Sequence, residues 1–212
     1  MTAAEKLDLP PMTFADFVEY ERTSDVKHEI WGGVLVAMAG GTLRHSQVAK
    51  NLLYELESRF RDSDTCEAHG SDLMVYQPGP DKGAYPDLSV VCGEQEFEND
   101  RIGEERVLLN PTMVVEVLSR STAARDIGVK FQRYQSIPSL EEYVLIDPTT
   151  PFVQLFRRTD VGWVMEMVSD IEHDVTFQSI GQTVPMSSVY RRVELSDHSD
   201  VLSGDLGGES SE

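Results

Sequence analysis

A chain of 212 residues, 40% hydrophobic and 26% charged, can bury one sizeable core; no apolar run nears the roughly 20 residues that cross a bilayer, so no membrane partner is expected. The formal net charge of −19, with six acids and no Lys or Arg in Glu194–Glu212, argues against tight nonspecific binding to a polyanion but not against a metal site. Cys66 and Cys92 could pair, but two unpatterned cysteines read better as small buried apolar residues in a reducing compartment; with no basic-then-apolar leader in Met1–Pro11, a cytoplasmic protein is expected.

Residues 1–11 read as a flexible start, 12–193 as one domain, and 194–212 as a disordered acidic tail in which Ser, Gly and acids replace apolar residues. Thr13-Phe14-Ala15-Asp16 offers a cap with an acid three places on, and Phe14, Phe17, Val18 and Glu21 predict a short amphipathic helix behind it. Val26–Ile30 and Val34–Met38 flank Trp31-Gly32-Gly33 and read as a hairpin, with Glu29 in its first strand. Val48, Leu52, Leu56 and Phe60 repeat every four residues, which predicts a helix over about 45–61 with His45 in its first turn.

Cys66–Gly70 and Ser71–Tyr76 read as extended, Gln77-Pro78-Gly79-Pro80-Asp81 as a turn, and Leu88–Val91 as a buried strand behind Pro86-Asp87. Glu94–Glu105, holding Glu94, Glu96, Glu98, Asp100, Glu104 and Glu105, reads as a solvated surface loop. Met113–Val117 is a second β-branched run; Ser121-Thr122 then offers a cap to a helix carried by Ile127, Phe131 and Tyr134 that stops before Pro138. Glu142–Asp147 is a further apolar strand, Phe152–Arg157 and Trp163–Val168 form a hairpin around Asp160-Val161-Gly162, and Val175–Ile180 with Val184–Met186 add edge structure. The order predicts an α/β or α+β fold, a mixed sheet with helices against it.

Two of the buried runs each carry one carboxylate, Asp87 and Glu116. An acid in such a strand costs several kcal/mol unless compensated, and a shared metal ion is the most economical compensation. If the two lie side by side, each can give an oxygen to magnesium, with the backbone carbonyl of Val117 or Leu118 as a further ligand. The ion would polarise a phosphodiester and acidify a bound water, and the Lys130 ammonium would orient that water or stabilise charge at phosphorus.

The landmarks His28-Glu29-Ile30-Trp31-Gly32-Gly33, His45, Ser71-Asp72-Leu73, Pro86-Asp87-Leu88-Ser89-Val90-Val91, Val114-Val115-Glu116-Val117-Leu118-Ser119, Lys130 and Glu142-Tyr143-Val144-Leu145-Ile146-Asp147-Pro148 occur together in this order. In that joint spacing, over about 12–192, the chain resembles the Uma-two family, classed by similarity with restriction endonucleases in the PD-(D/E)XK nuclease superfamily. The resemblance implies a restriction-endonuclease-like fold, magnesium or manganese as cofactor, DNA as substrate and, by analogy, a homodimer. It matches Asp87 and Glu116 to the paired metal carboxylates, Glu29 to an N-terminal acid that completes the site, and Lys130 to the catalytic lysine. The superfamily pattern wants that lysine two places after the second acid, where this chain has Leu118.

Each residue also has a plainer reading. Asp87 could bond to turn amides, Glu29 could face water beside Lys27, and Lys130 could be a solvated helix residue. His45 suits helix capping or substrate positioning better than proton transfer; Asp126 suits a helix cap, and Tyr134, Tyr143 and Asp147 suit core and turn. The five histidines lack the spacing of a zinc site. The displaced lysine and the net charge keep a second function open, a catalytically inactive module of the same fold that binds protein or nucleic acid; hydrolysis of another phosphoester is a third.

Overall fold

A computed structural model of the chain describes residues 7–38, 40–62, 65–78, 82–99, 106–119 and 126–196. Thr13 starts helix α1 (Phe14–Glu21) with a reciprocal box: its side chain accepts the Asp16 N–H, and the Asp16 carboxylate accepts the Thr13 N–H. Strands β1 (His28–Trp31) and β2 (Val34–Ala37) then form the expected hairpin, whose turn holds Gly32 and Gly33 at φ +62° and +81°. Both values lie where a side chain is strained, so the turn needs this pair of glycines.

Helix α2 (Leu43–Phe60) buries Val48, Leu52, Leu56 and Phe60 along one stripe, each worth about 1.5–3 kcal/mol of transfer free energy. Its cap is Thr42, whose hydroxyl accepts the His45 N–H at 3.2 Å. Strands β3 (Cys66–Gly70), β4 (Met74–Tyr76), β5 (Lys82–Ala84), β6 (Leu88–Cys92), β7 (Phe97–Asn99), β8 (Arg106–Leu108) and β9 (Met113–Val117) follow. A π-helical turn, Asp126–Lys130, runs into helix α3 (Phe131–Tyr134), and β10 (Glu142–Asp147), β11 (Phe152–Thr159) and β12 (Gly162–Val168) complete the larger pairings. Strands β13 (Asp174–Phe177) and β14 (Gln182–Pro185) and helix α4 (Met186–Val189) close the described chain.

The strands form two mixed sheets of six, in the orders β2-β1-β5-β4-β8-β7 and β12-β11-β10-β9-β6-β3. Val75, Ala84 and Leu108 of the first meet Val91, Val114, Tyr143 and Leu145 of the second, so the sheets face each other across an apolar layer. The far face of the second sheet packs on α2 through Val90, Val115 and Val144, and the far face of the first packs on α1 through Ile30, Leu35 and Met74. The result is a mixed α+β architecture in which β9, buried along its whole length, lies at the centre.

Three expectations are corrected. Cys66 and Cys92 form a disulfide: they are direct partners in the β3–β6 ladder with Cα atoms 4.0 Å apart. The Gly93 N–H donates to the Thr65 carbonyl at 2.9 Å, which leaves the cysteines as the adjoining narrow pair of the ladder. The acidic stretch is not all loop, since β7 pairs with β8 and Phe97 packs into the inter-sheet layer. Exposure alternates from Glu94 to Glu98, a period of two hidden by the charge. β13 and β14 are not an edge of the main sheets but a separate two-stranded ribbon whose Val175, Phe177 and Val184 pack toward α2. Outside the described residues lie the Gly79-Pro80-Asp81 part of the predicted turn, the Ser121-Thr122 cap, Asp100, Glu104 and Glu105, the Asp126 side chain and residues 197–212.

Candidate active site

The β6–β9 ladder is antiparallel, with Leu88 opposite Val115 and Ser89 opposite Val114. One step further along that register, Asp87 faces Glu116, so both carboxylates start from the same side of the sheet, the side that looks across to the first sheet. Asp87 Oδ2 accepts the N–H of Val117, the residue after Glu116, at 2.7 Å, and lies 3.1 Å from His45 Nε2 at the start of α2. Val117 is thus tied to the site through its amide. Asp87 and His45 are the more open members, with 15% and 19% of their side chains exposed.

Glu116 is 4% exposed, and its charge is met from the helical segment. Lys130, the last residue of the π-turn, places Nζ 3.0 Å from Glu116 Oε1 and 3.0 Å from Glu29 Oε1. Glu29 reaches this point from the middle of β1, on the opposing sheet, and does not face water: it is 2% exposed. Its other oxygen accepts the Trp31 indole N–H at 3.1 Å. Lys130 itself is 4% exposed, so the ammonium is a buried charge held by two buried carboxylates and not a solvated helix residue. π-Helical turns are frequent at functional sites, and here the turn brings Lys130 to the two carboxylates. Leu118 instead gives its N–H to the Ile146 carbonyl at 2.8 Å and packs against the inter-sheet layer.

Two further groups join the site. The Tyr134 hydroxyl donates to Glu116 Oε1 at 3.3 Å. Burial, and after it the charges of Glu116 and Glu29, push this phenol well above the usual tyrosine range, so it stays a donor. Arg133 lies over the Trp31 ring, its guanidinium carbon 4.3 Å from the ring centroid. Their signal in the sequence is the spacing Lys130, Arg133, Tyr134, which puts all three on one helical face. Asp147 accepts from the Thr149 and Thr150 N–H groups in a turn and takes no part.

Three carboxylates and a backbone strand form a donor set suited to a hard divalent cation. Among the described residues, however, no three His, Cys, Asp or Glu side chains converge as ligands of one ion, and Glu29 and Glu116 both face Lys130. A groove of about 700 Å³ lies beside β3 among Glu67, His69, Asp72, Gln95 and Phe97 and includes none of the site residues.

The model of the Uma2 family, described as "Putative restriction endonuclease", matches residues 14–187. An uncharacterized protein of Synechocystis sp., slr1290, is 29% identical over 182 residues, covering 86% of this chain and 93% of that protein. A second uncharacterized Synechocystis protein, sll1609, is 28% identical over 172 residues, 80% of this chain and 95% of that one. The fold is shared with a crystal structure from Anabaena variabilis described as "a putative nuclease belonging to DUF820", with a TM-score of 0.69, 17% identity, and coverage of 85% of this chain and 98% of that one.

Proposed function

The chain belongs to the Uma2 family of "Putative restriction endonuclease" proteins, and from that membership and the site just described we propose that it is a divalent-metal-dependent endonuclease hydrolysing DNA phosphodiester bonds. One observation carries the proposal: three side chains from β1, β9 and the π-turn meet in a buried cluster, with Lys130 Nζ 3.0 Å from both Glu29 and Glu116 and Asp87 in register beside them. A core built only for stability gains little from such a cluster, because desolvating the charges offsets most of their attraction.

Asp87 and Glu116, with the backbone at Val117, would hold magnesium or manganese. A bound ion of this kind polarises the phosphoryl oxygen and lowers the pKa of a bound water toward neutrality. Lys130 would stabilise the negative charge that develops on the phosphoryl group, with its ammonium held by Glu29 at 3.0 Å. The Tyr134 hydroxyl restrains the Glu116 carboxylate, while His45 and the Val117 amide hold Asp87.

Nicking of a supercoiled plasmid by the full chain in magnesium or manganese tests this: cleavage is expected, and is lost in Asp87→Ala and Glu116→Ala. A second reading, a catalytically inactive module that binds nucleic acid or protein, is favoured by Leu118 at the lysine position of the pattern and by the absence of three converging ligands among the described residues. It predicts no cleavage of DNA in either metal.

A further inference from the structure

We propose that Arg133, stacked on Trp31, is the part of the site that grips the substrate, binding a phosphodiester of the DNA next to the one that is cut. The inference rests on the nuclease reading above and adds to it a binding subsite and a division of labour.

The argument starts from charge. Glu29, Asp87 and Glu116 outweigh the single ammonium of Lys130, a divalent ion held there would only balance them, and the chain as a whole is at −19, so a nucleic acid approaching the cluster gains from a further cation at its edge. Arg133 is the next cation on the helical face that carries Lys130 and Tyr134. Its place is at the rim: Glu29, Lys130 and Tyr134 are buried, Arg133 and Trp31 are partly exposed, and their chain neighbours Gly32 and Gln132 are exposed.

The geometry suits a phosphate. The guanidinium carbon lies 4.3 Å from the indole centroid, and the planar fork of a guanidinium matches two phosphate oxygens. Stacking also limits the side-chain freedom that binding would otherwise remove. Trp31 then ties grip to chemistry, because the same indole donates its N–H to Glu29, which holds Lys130. Arg133 is accordingly a binding residue, and Trp31 a positioning residue acting through Glu29.

Steady-state cleavage of a fluorescein-labelled DNA duplex in manganese, with binding of the same duplex measured in calcium over a salt series, separates the roles. Arg133→Gln is expected to raise KM about tenfold, the loss of one charge-assisted contact, with kcat changed less than about threefold. Its salt dependence of binding should lose about one unit of slope, one phosphate contact fewer. Trp31→Phe keeps an aromatic face but loses the N–H, so it should lower kcat more than it raises KM. If Arg133→Gln does not fold, Arg133→Lys is read instead; it should keep the slope and still raise KM, since an ammonium cannot stack as a fork. An active wild type with an unchanged KM and slope in the Arg133 variant, or with a loss confined to kcat, overturns this inference alone. A wild type that neither cuts nor binds DNA overturns the nuclease reading, and the inference with it.

Discussion

Lys130 Nζ stands 3.0 Å from Glu116 Oε1, both side chains being 5% exposed, and the same ammonium stands 3.0 Å from Glu29. Removing the lysine would leave two carboxylates facing each other across the sheets without its charge between them. Lys130→Met is therefore expected to abolish cleavage and also to lower stability in urea by about 3–5 kcal/mol, the range for breaking a buried ion pair. Adding Glu29→Gln should restore part of that stability but no activity. An equal loss in the single and double variants would show that the charge cluster is not the cause.

Tyrosines set an alkaline limit. Tyr134 is raised well above its ordinary range by burial and then by Glu116 and Glu29, and Tyr190 is raised mainly by burial, while its hydroxyl donates to the Asp147 carbonyl at 2.8 Å. Below about pH 10 both are protonated whether the chain is folded or not, so their contribution is fully present. Above that, the unfolded chain releases protons that the folded chain keeps, and stability should fall by up to about 1.4 kcal/mol per pH unit for each tyrosine. Tyr134→Phe should flatten the curve above pH 10 and cost about 1 kcal/mol at neutral pH for the lost hydrogen bond. Chemical denaturation across alkaline pH reads both effects, and an unchanged slope in Tyr134→Phe would contradict the assignment.

The Cys66–Cys92 disulfide links β3 to the far end of β6, the strand that follows Asp87, across a sequence separation of 26. Reduction, or Cys66→Ala with Cys92→Ala, should lower stability by about 2–4 kcal/mol by freeing the unfolded chain. Metal binding should persist, since neither sulfur belongs to the site. Thiol titration of the unfolded, unreduced protein should find no free cysteine; two free thiols would restore the reduced state expected from the sequence.

Much of the fold was legible because alternation and turn chemistry are local. The hairpin around Gly32-Gly33, the stripe of α2 and the apolar strands β6, β9 and β10 follow from neighbouring residues alone. What escaped depends on which strand lies beside which. The cysteine pairing needs the β3–β6 register, and the burial of Glu29 needs the first sheet to close over the second, which its own strand does not reveal. The same holds for the site. Asp87 and Glu116 stand out as acids in apolar runs, whereas Lys130 resembles any helical lysine until the π-turn aims it inward. Trp31 read as a turn residue, Tyr134 as core or turn, and Arg133 drew no reading, because their chemistry is directed at partners distant in the chain.

Calorimetric titration of the full chain with manganese tests most directly whether Asp87 and Glu116 form a divalent-cation site. The account predicts saturable binding to a single class of site, lost in Asp87→Asn and in Glu116→Gln although both variants stay folded. No binding at millimolar manganese, or binding that survives both substitutions, would contradict it.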